Sequence, residues 1–202
     1  MIDITKIDFS KLDGLVPAVV IDAFTDQVLM LGFMNQESLR KTIDSKYVTF
    51  FSRSRKTLWT KGETSGNYLE LMDMKLDCDN DSLMVYAKPA GNTCHTGSYS
   101  CFGVERNDAR FLEYLFKFIQ KRKIELPENS YTTKLFKSGA DRIIQKVGEE
   151  AIETVVAAKN RNKTEILNEV SDLIYHLFVL LAEQNITIEE IGQTLKSRHI
   201  KE

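Results

Sequence analysis

Gly103-Val104-Glu105-Arg106-Asn107-Asp108-Ala109-Arg110-Phe111-Leu112-Glu113-Tyr114-Leu115-Phe116-Lys117-Phe118-Ile119 is where the hydrophobic rhythm of this chain changes. Phe111, Leu112, Leu115, Phe116 and Ile119 recur at three- and four-residue intervals, the spacing that lines one stripe of an α-helix. Upstream, apolar residues come instead in short β-type runs, at 16–21, 28–33, 47–52, 69–78 and 83–87, with turn residues between them. One helical segment, 36–45 after an Asn35 cap, interrupts that series. The polar residues 103–107 mark the boundary, so we expect two domains, 1–104 and 105–202. The first should be a mainly β, largely antiparallel α+β unit and the second an all-α bundle.

Further along, Ile143, Ile144, Val147, Ala151, Ile152 and Val155 form a second helical stripe. Asn162-Lys-Thr-Glu165 and Thr187-Ile-Glu-Glu190 read as capping boxes that open later helices. Nothing approaches the roughly 18 unbroken apolar residues of a membrane helix, and the start lacks the basic and apolar blocks of a secretory signal, so a cytoplasmic protein is expected. Lys+Arg (27) nearly balances Asp+Glu (29), which leaves no broad basic surface for nucleic acid; a polyanionic ligand would need local positive contacts.

All three cysteines fall close together, in Asp77-Cys78-Asp79-Asn80-Asp81 and in Cys94-His95-Thr96-Gly97-Ser98-Tyr99-Ser100-Cys101. Thiolates suit Zn²⁺, whereas carboxylates at alternate positions (Asp77, Asp79, Asp81) suit Mg²⁺. If residues 72–78 form a strand, Met72, Met74, Leu76 and Cys78 share one face while Asp77 and Asp79 point to the other. Three thiols leave a fourth zinc position for water or for His95, and an open position is what catalysis needs. His95, beside a thiol ligand, is placed to act as general base. Upstream, Arg53, Arg55, Trp59, Lys61, Gly62, Glu63 and Ser65 combine cations, hydroxyls and a close-approach glycine, a pattern suited to phosphate that lacks the P-loop spacing.

These residues resemble phosphoribosyl-AMP cyclohydrolase over 16–102, through Phe50-Phe51-Ser52-Arg53-Ser54-Arg55, the 59–67 stretch, Asp77-Cys78-Asp79-x-Asp81 and Cys94-His95-x-Gly97-x-x-Ser100-Cys101. The resemblance implies zinc on Cys78, Cys94 and Cys101, magnesium on Asp77, Asp79 and Asp81, and a homodimer whose zinc ligands come from both subunits. The expected chemistry is hydrolytic opening of the adenine ring at N1–C6, with zinc lowering the pKa of bound water from about 15.7 to about 7.

In the helical half, Lys146-Val-Gly148-Glu149-Glu150-Ala-Ile-Glu153 and Glu169-Val-Ser-Asp172 each carry an acidic pair at i, i+3. At 100° per residue each pair shares a helix face, and antiparallel packing would bring Glu150, Glu153, Glu169 and Asp172 together. Such a cluster is unfavourable without a cation, and oxygen-only ligands point to Mg²⁺. His176, within an apolar run, reads as a hydrogen-bonded core residue. The segment from 111 to 181 resembles phosphoribosyl-ATP pyrophosphatase of the all-α MazG-like pyrophosphohydrolases, through Ser130-Tyr131-Thr132 and the two acidic motifs. That resemblance implies Mg²⁺ held by the four carboxylates against the phosphate chain, Lys146 neutralising developing charge, and Glu149 as candidate for orienting the attacking water. The resembled activities are consecutive steps of histidine biosynthesis, on nucleotide substrates. A zinc nucleobase deaminase would need His-x-Glu and Pro-Cys-x-x-Cys, and neither occurs.

Overall fold

The computed structural model describes residues 3–199. The chain divides into two compact units between Phe111 and Leu112. In the first, β1 (Val16–Asp22), β2 (Val28–Met34), β5 (Leu69–Leu76) and β6 (Leu83–Pro89) form a sheet in the order β2-β1-β6-β5. Two of its ladders are antiparallel, while β1 and β6 run parallel. A two-stranded antiparallel ribbon, β3 (Thr49–Phe51) and β4 (Leu58–Thr60), and the helix α1 (Gln36–Ser45) complete the unit. Asn35 caps α1 through a reciprocal pair, its side chain accepting from Ser38 N–H while the Ser38 hydroxyl accepts from Asn35 N–H.

Alternation decides which face is buried. Val16, Ala18 and Val20 of β1 point into a core with Leu29, Met34, Val85, Leu39 and Phe50. The opposite face is apolar too: Val19 lies across from Leu31 on one side and Met84 on the other, and Leu31 and Met84 are exposed. β3 is shorter than the 47–52 run, and β4 adds a strand that the apolar runs do not mark, since its three residues are enclosed by polar neighbours. The two pair in register, with Phe50 opposite Trp59 and the rings 5.0 Å apart. Gln27 holds the stretch after the last strand to the sheet: its side chain donates to Glu105 C=O and accepts from Asn107 N–H.

The remaining helices are α2 (Phe111–Glu125), α3 (Tyr131–Ser138), α4 (Ala140–Asn160), α5 (Lys163–Glu183) and α6 (Ile188–His199). Asn162 caps α5, and Thr187 with Glu190 forms a reciprocal capping box before α6. The core is small: Phe116, Ile119, Leu135, Ile143, Val179 and Ala182. Only Ile143 of the expected α4 stripe is fully buried; Ile152 and Val155 are 67% and 68% exposed. The buried line of α4 runs through Ile143, Glu150 and Ala157, seven residues apart; Val147 and Ala151 are half-buried, and Ile144, Ile152, Val155 and Val156 face outward.

Candidate active sites

Two turns carry the thiols and carboxylates of the strand unit. The first joins β5 to β6. A bulge between Leu71 and Asp73 breaks the alternation of β5, leaving Met72 exposed and Met74 buried, and the strand ends at Leu76. The expected shared face of Met72, Met74, Leu76 and Cys78 is therefore not formed. Cys78 stands exposed on the same turn as the carboxylates. Asp77 accepts from the N–H groups of Asp81 and Ser82, at 3.0 and 3.1 Å, which folds the turn so that Asp77, Asp79 and Asp81 can each offer an oxygen within 4.8 Å of the others. Lys11 Nζ reaches this group, 2.7 Å from Asp79 Oδ2 and 3.0 Å from Asp81 Oδ2.

The second turn follows β6. Cys94 N–H donates to Ser98 C=O and Gly97 N–H to Cys94 C=O, closing a tight loop in which Gly97 takes φ +87°, a conformation glycine adopts without strain. This loop is tied down from below. Tyr99 donates from its hydroxyl to Asp22 at 2.7 Å, Ser100 donates to Val28 C=O at 2.7 Å, and Cys101 N–H donates to Leu29 C=O at 2.8 Å. Burial pushes the Tyr99 phenol up to about 12.

The two thiols held here differ. Cys94 Sγ lies 3.0 Å from the Thr96 hydroxyl, which lowers its pKa, while burial, followed by the nearby Cys94, raises that of Cys101. Cys94 is thus the first of the pair to ionise. His95 Nδ1 lies 3.9 Å from Cys94 Sγ. Among the described residues, no group of three ligand atoms within 4.8 Å of one another includes a thiol, so Cys78 does not join Cys94 and Cys101 within one chain.

Cys94, His95 and Cys101 line a cleft of about 700 Å³ together with Arg55, Trp59, Lys61, Gly62, Glu63 and Ser65. Gly62 has φ +93°, and a Cβ there would run into the Tyr68 amide, so the turn requires glycine. Arg53 is not among the lining residues; its guanidinium carbon sits 3.8 Å from the Phe33 ring centroid. Ser52, Asn67 and Thr93 line the cleft as well. Asn67, the last residue of the 59–67 stretch, donates from its side chain to Asn92 C=O and so joins the cationic turn to the thiol loop.

In the helical unit α4 and α5 are joined through Arg161 and Asn162 alone, so they pack antiparallel. Glu150, Glu169 and Asp172 can each offer an oxygen within 4.8 Å of the others. Glu153 lies outside this trio yet close to it: burial raises the pKa of Glu169, and the charges of Glu153, Asp172 and Glu150 raise it further. Glu150 is buried and contacts Lys146 Nζ at 2.6 Å, and Lys146 also reaches Glu149 at 3.0 Å. Glu149 is not one of the trio but shares Lys146 with Glu150; it is also engaged by Arg142 and Gln145, and Lys146 in particular holds its carboxyl below the usual range. His176 is buried beside Glu150. Its Nδ1 donates to the Asp172 carbonyl at 2.8 Å, and its Nε2 lies 3.1 Å from the Tyr131 hydroxyl.

The two units match two separate family profiles, one described as phosphoribosyl-AMP cyclohydrolase over residues 30–103 and one as phosphoribosyl-ATP pyrophosphohydrolase over residues 112–199. Relatives matching along nearly the whole chain are called histidine biosynthesis bifunctional protein HisIE. That of Bacteroides thetaiotaomicron is 51% identical over 196 residues, covering 96% of each chain. That of Escherichia coli K12 is 50% identical over 194 residues, again 96% of each. That of Campylobacter jejuni is 52% identical over 196 residues, 96% of this chain and 95% of the relative. The chain belongs to the HisIE family. It is accordingly an enzyme with two hydrolytic activities, phosphoribosyl-AMP cyclohydrolase and phosphoribosyl-ATP pyrophosphohydrolase. In this HisIE chain the two profile matches part between 103 and 112, the stretch where the structure also changes from strands to helices.

Proposed function

We propose that the helical unit releases pyrophosphate from phosphoribosyl-ATP and that the strand unit then opens the adenine ring of the resulting phosphoribosyl-AMP. The observation that carries this assignment is the 700 Å³ cleft, which brings the cationic Arg55 and Lys61 turn against Cys94, His95 and Cys101. In this reading Arg55, Lys61, Ser65 and the Gly62 backbone receive the phosphate groups, Trp59 and Glu63 bound the nucleotide, and Arg53 braces the turn from Phe33.

Cys78, Cys94 and Cys101 would hold Zn²⁺, Asp77, Asp79 and Asp81 Mg²⁺, and Glu150, Glu153, Glu169 and Asp172 a second Mg²⁺ site. The donor sets suit the ions: soft sulfur for zinc, hard oxygen for magnesium. Zinc, when bound, lowers the pKa of coordinated water toward neutrality. His95, exposed in the cleft, takes a proton as water adds to C6 and returns it to N1 as the N1–C6 bond breaks, leaving the ring-opened carboxamide. In the helical unit Lys146 neutralises charge developing on the phosphates. Glu149, its basicity lowered by Lys146, orients the attacking water through a hydrogen bond rather than by removing its proton.

A homodimer completes the zinc site in this reading. Its support is the separation of Cys78 from the other two thiols within one chain, together with the apolar outer face of the sheet. A sheet that faced only water would carry polar residues there. A reducing cytoplasm, which keeps three thiols free, is the proposed location. The test is mass spectrometry of products from phosphoribosyl-ATP with Mg²⁺ and trace Zn²⁺. Pyrophosphate with a hydrated, ring-opened product supports both assignments; pyrophosphate with intact phosphoribosyl-AMP would refute the strand-unit half.

A further inference from the structure

The acidic turn between β5 and β6 already holds a cation, and that cation is a side chain of the same protein. Lys11 lies in a one-turn 3₁₀ segment, Ser10–Leu12, and its ammonium bridges Asp79 Oδ2 at 2.7 Å and Asp81 Oδ2 at 3.0 Å. The segment is anchored independently of this contact. Asp8 N–H donates to Asn80 C=O at 2.8 Å, and Gly14 N–H donates to Phe9 C=O at 2.9 Å. Asp77, by contrast, is engaged by backbone N–H groups and forms no salt bridge among the described residues, so its place in the turn does not depend on Lys11.

We propose that Lys11 is a tethered counter-ion which fills the acidic turn until a divalent cation displaces it, so that cation binding there is an exchange. This rests on the reading of Asp77, Asp79 and Asp81 as a Mg²⁺ site. A divalent ion bound about 2.1 Å from the same oxygens would stand within a few ångströms of the ammonium, and like charges at that range repel. The backbone anchors let the side chain swing away while the turn keeps its shape. Without its counter-ion the emptied turn would hold three carboxylates in mutual repulsion. Lys11 therefore offsets the repulsion among these carboxylates before the ion arrives and weakens the site's affinity in return.

The experiment uses the full-length, zinc-loaded chain and Mn²⁺ as probe. Amine acetylation read by mass spectrometry follows Lys11, and electron paramagnetic resonance follows free Mn²⁺ in wild type, Lys11→Gln, Lys11→Arg and Asp79→Asn. We expect Lys11 to label slowly without the ion and several-fold faster with it. Lys11→Gln should bind Mn²⁺ about two- to fivefold more tightly, the range that losing an exposed ion pair allows, while Lys11→Arg stays near wild type. If Asp79-dependent Mn²⁺ binding persists but Lys11 labelling ignores the ion, or if Lys11→Gln binds more weakly or unchanged, the exchange is refuted and the site reading stands. If no Mn²⁺ binding depends on Asp79, the site reading fails and takes the exchange with it.

Discussion

The roles proposed for His95 and Glu150 rest on what surrounds each residue. His95 is exposed on the lip of the cleft, 3.9 Å from a thiol that a neighbouring hydroxyl makes easier to ionise, and it carries no structural duty among the described residues that would forbid replacement. We predict that His95→Ala retains zinc by metal analysis and loses about 10²- to 10⁴-fold in ring-opening rate, the usual contribution of a general base. A variant with unchanged turnover would remove His95 from the mechanism. Glu150 is the opposite case, buried against Lys146 and His176 and facing two more carboxylates. Glu150→Gln should abolish pyrophosphate release while ring opening of supplied phosphoribosyl-AMP continues; loss of both would argue against separable sites.

Among the elements, the loops that hold the reactive groups are fixed by side chains remote from the chemistry. Tyr99, buried on Asp22 and Thr25, fastens the thiol loop to the turn between β1 and β2. Tyr99→Phe leaves Asp22 without that donor in a buried place, and a loss of about 1–3 kcal/mol in urea unfolding is expected, with weaker zinc retention. The Asn35 cap of α1 is a second such fixture. Asn35→Ala should cost about 1 kcal/mol by the same measurement without changing zinc content, because α1 contributes no residue to the cleft lining. Caps were legible in the sequence because they depend on neighbours three residues apart. The bulge in β5 was not, since nothing in Leu71-Met72-Asp73 announces that one residue will drop out of the ladder. Together with the end of the strand at Leu76, that irregularity removes the expected shared face of Met72, Met74, Leu76 and Cys78.

Considered as a whole molecule, each unit presents more apolar surface than its own core uses. Leu31 and Met84 on the sheet, and Ile144, Ile152, Val155 and Leu167 on the helices, are exposed well beyond what scattered surface residues require. We predict a dimer or larger assembly by light scattering. Val155→Asp should weaken association through the helices, while Leu31→Asp should reduce zinc content as well if the thiols are shared. A monomeric wild type that retains one zinc per chain would contradict the shared site.

Much of the protein followed from the chain alone, because its signals are local. The change of period near residue 110, the caps, the thiol and carboxylate spacings and the i, i+3 acidic pairs all express relations between residues a few positions apart. The tertiary structure decided what depends on distant pairings: that Arg55 and Lys61 share a cleft with Cys94 and Cys101, that Arg53 does not line it, that Glu153 stands just outside the tight carboxylate trio, and that Lys11 reaches across to Asp79 and Asp81. Local periodicity determines which face of an element is apolar. Which of two apolar faces is buried, as on α4, is chosen only when the whole set of elements competes for the same core.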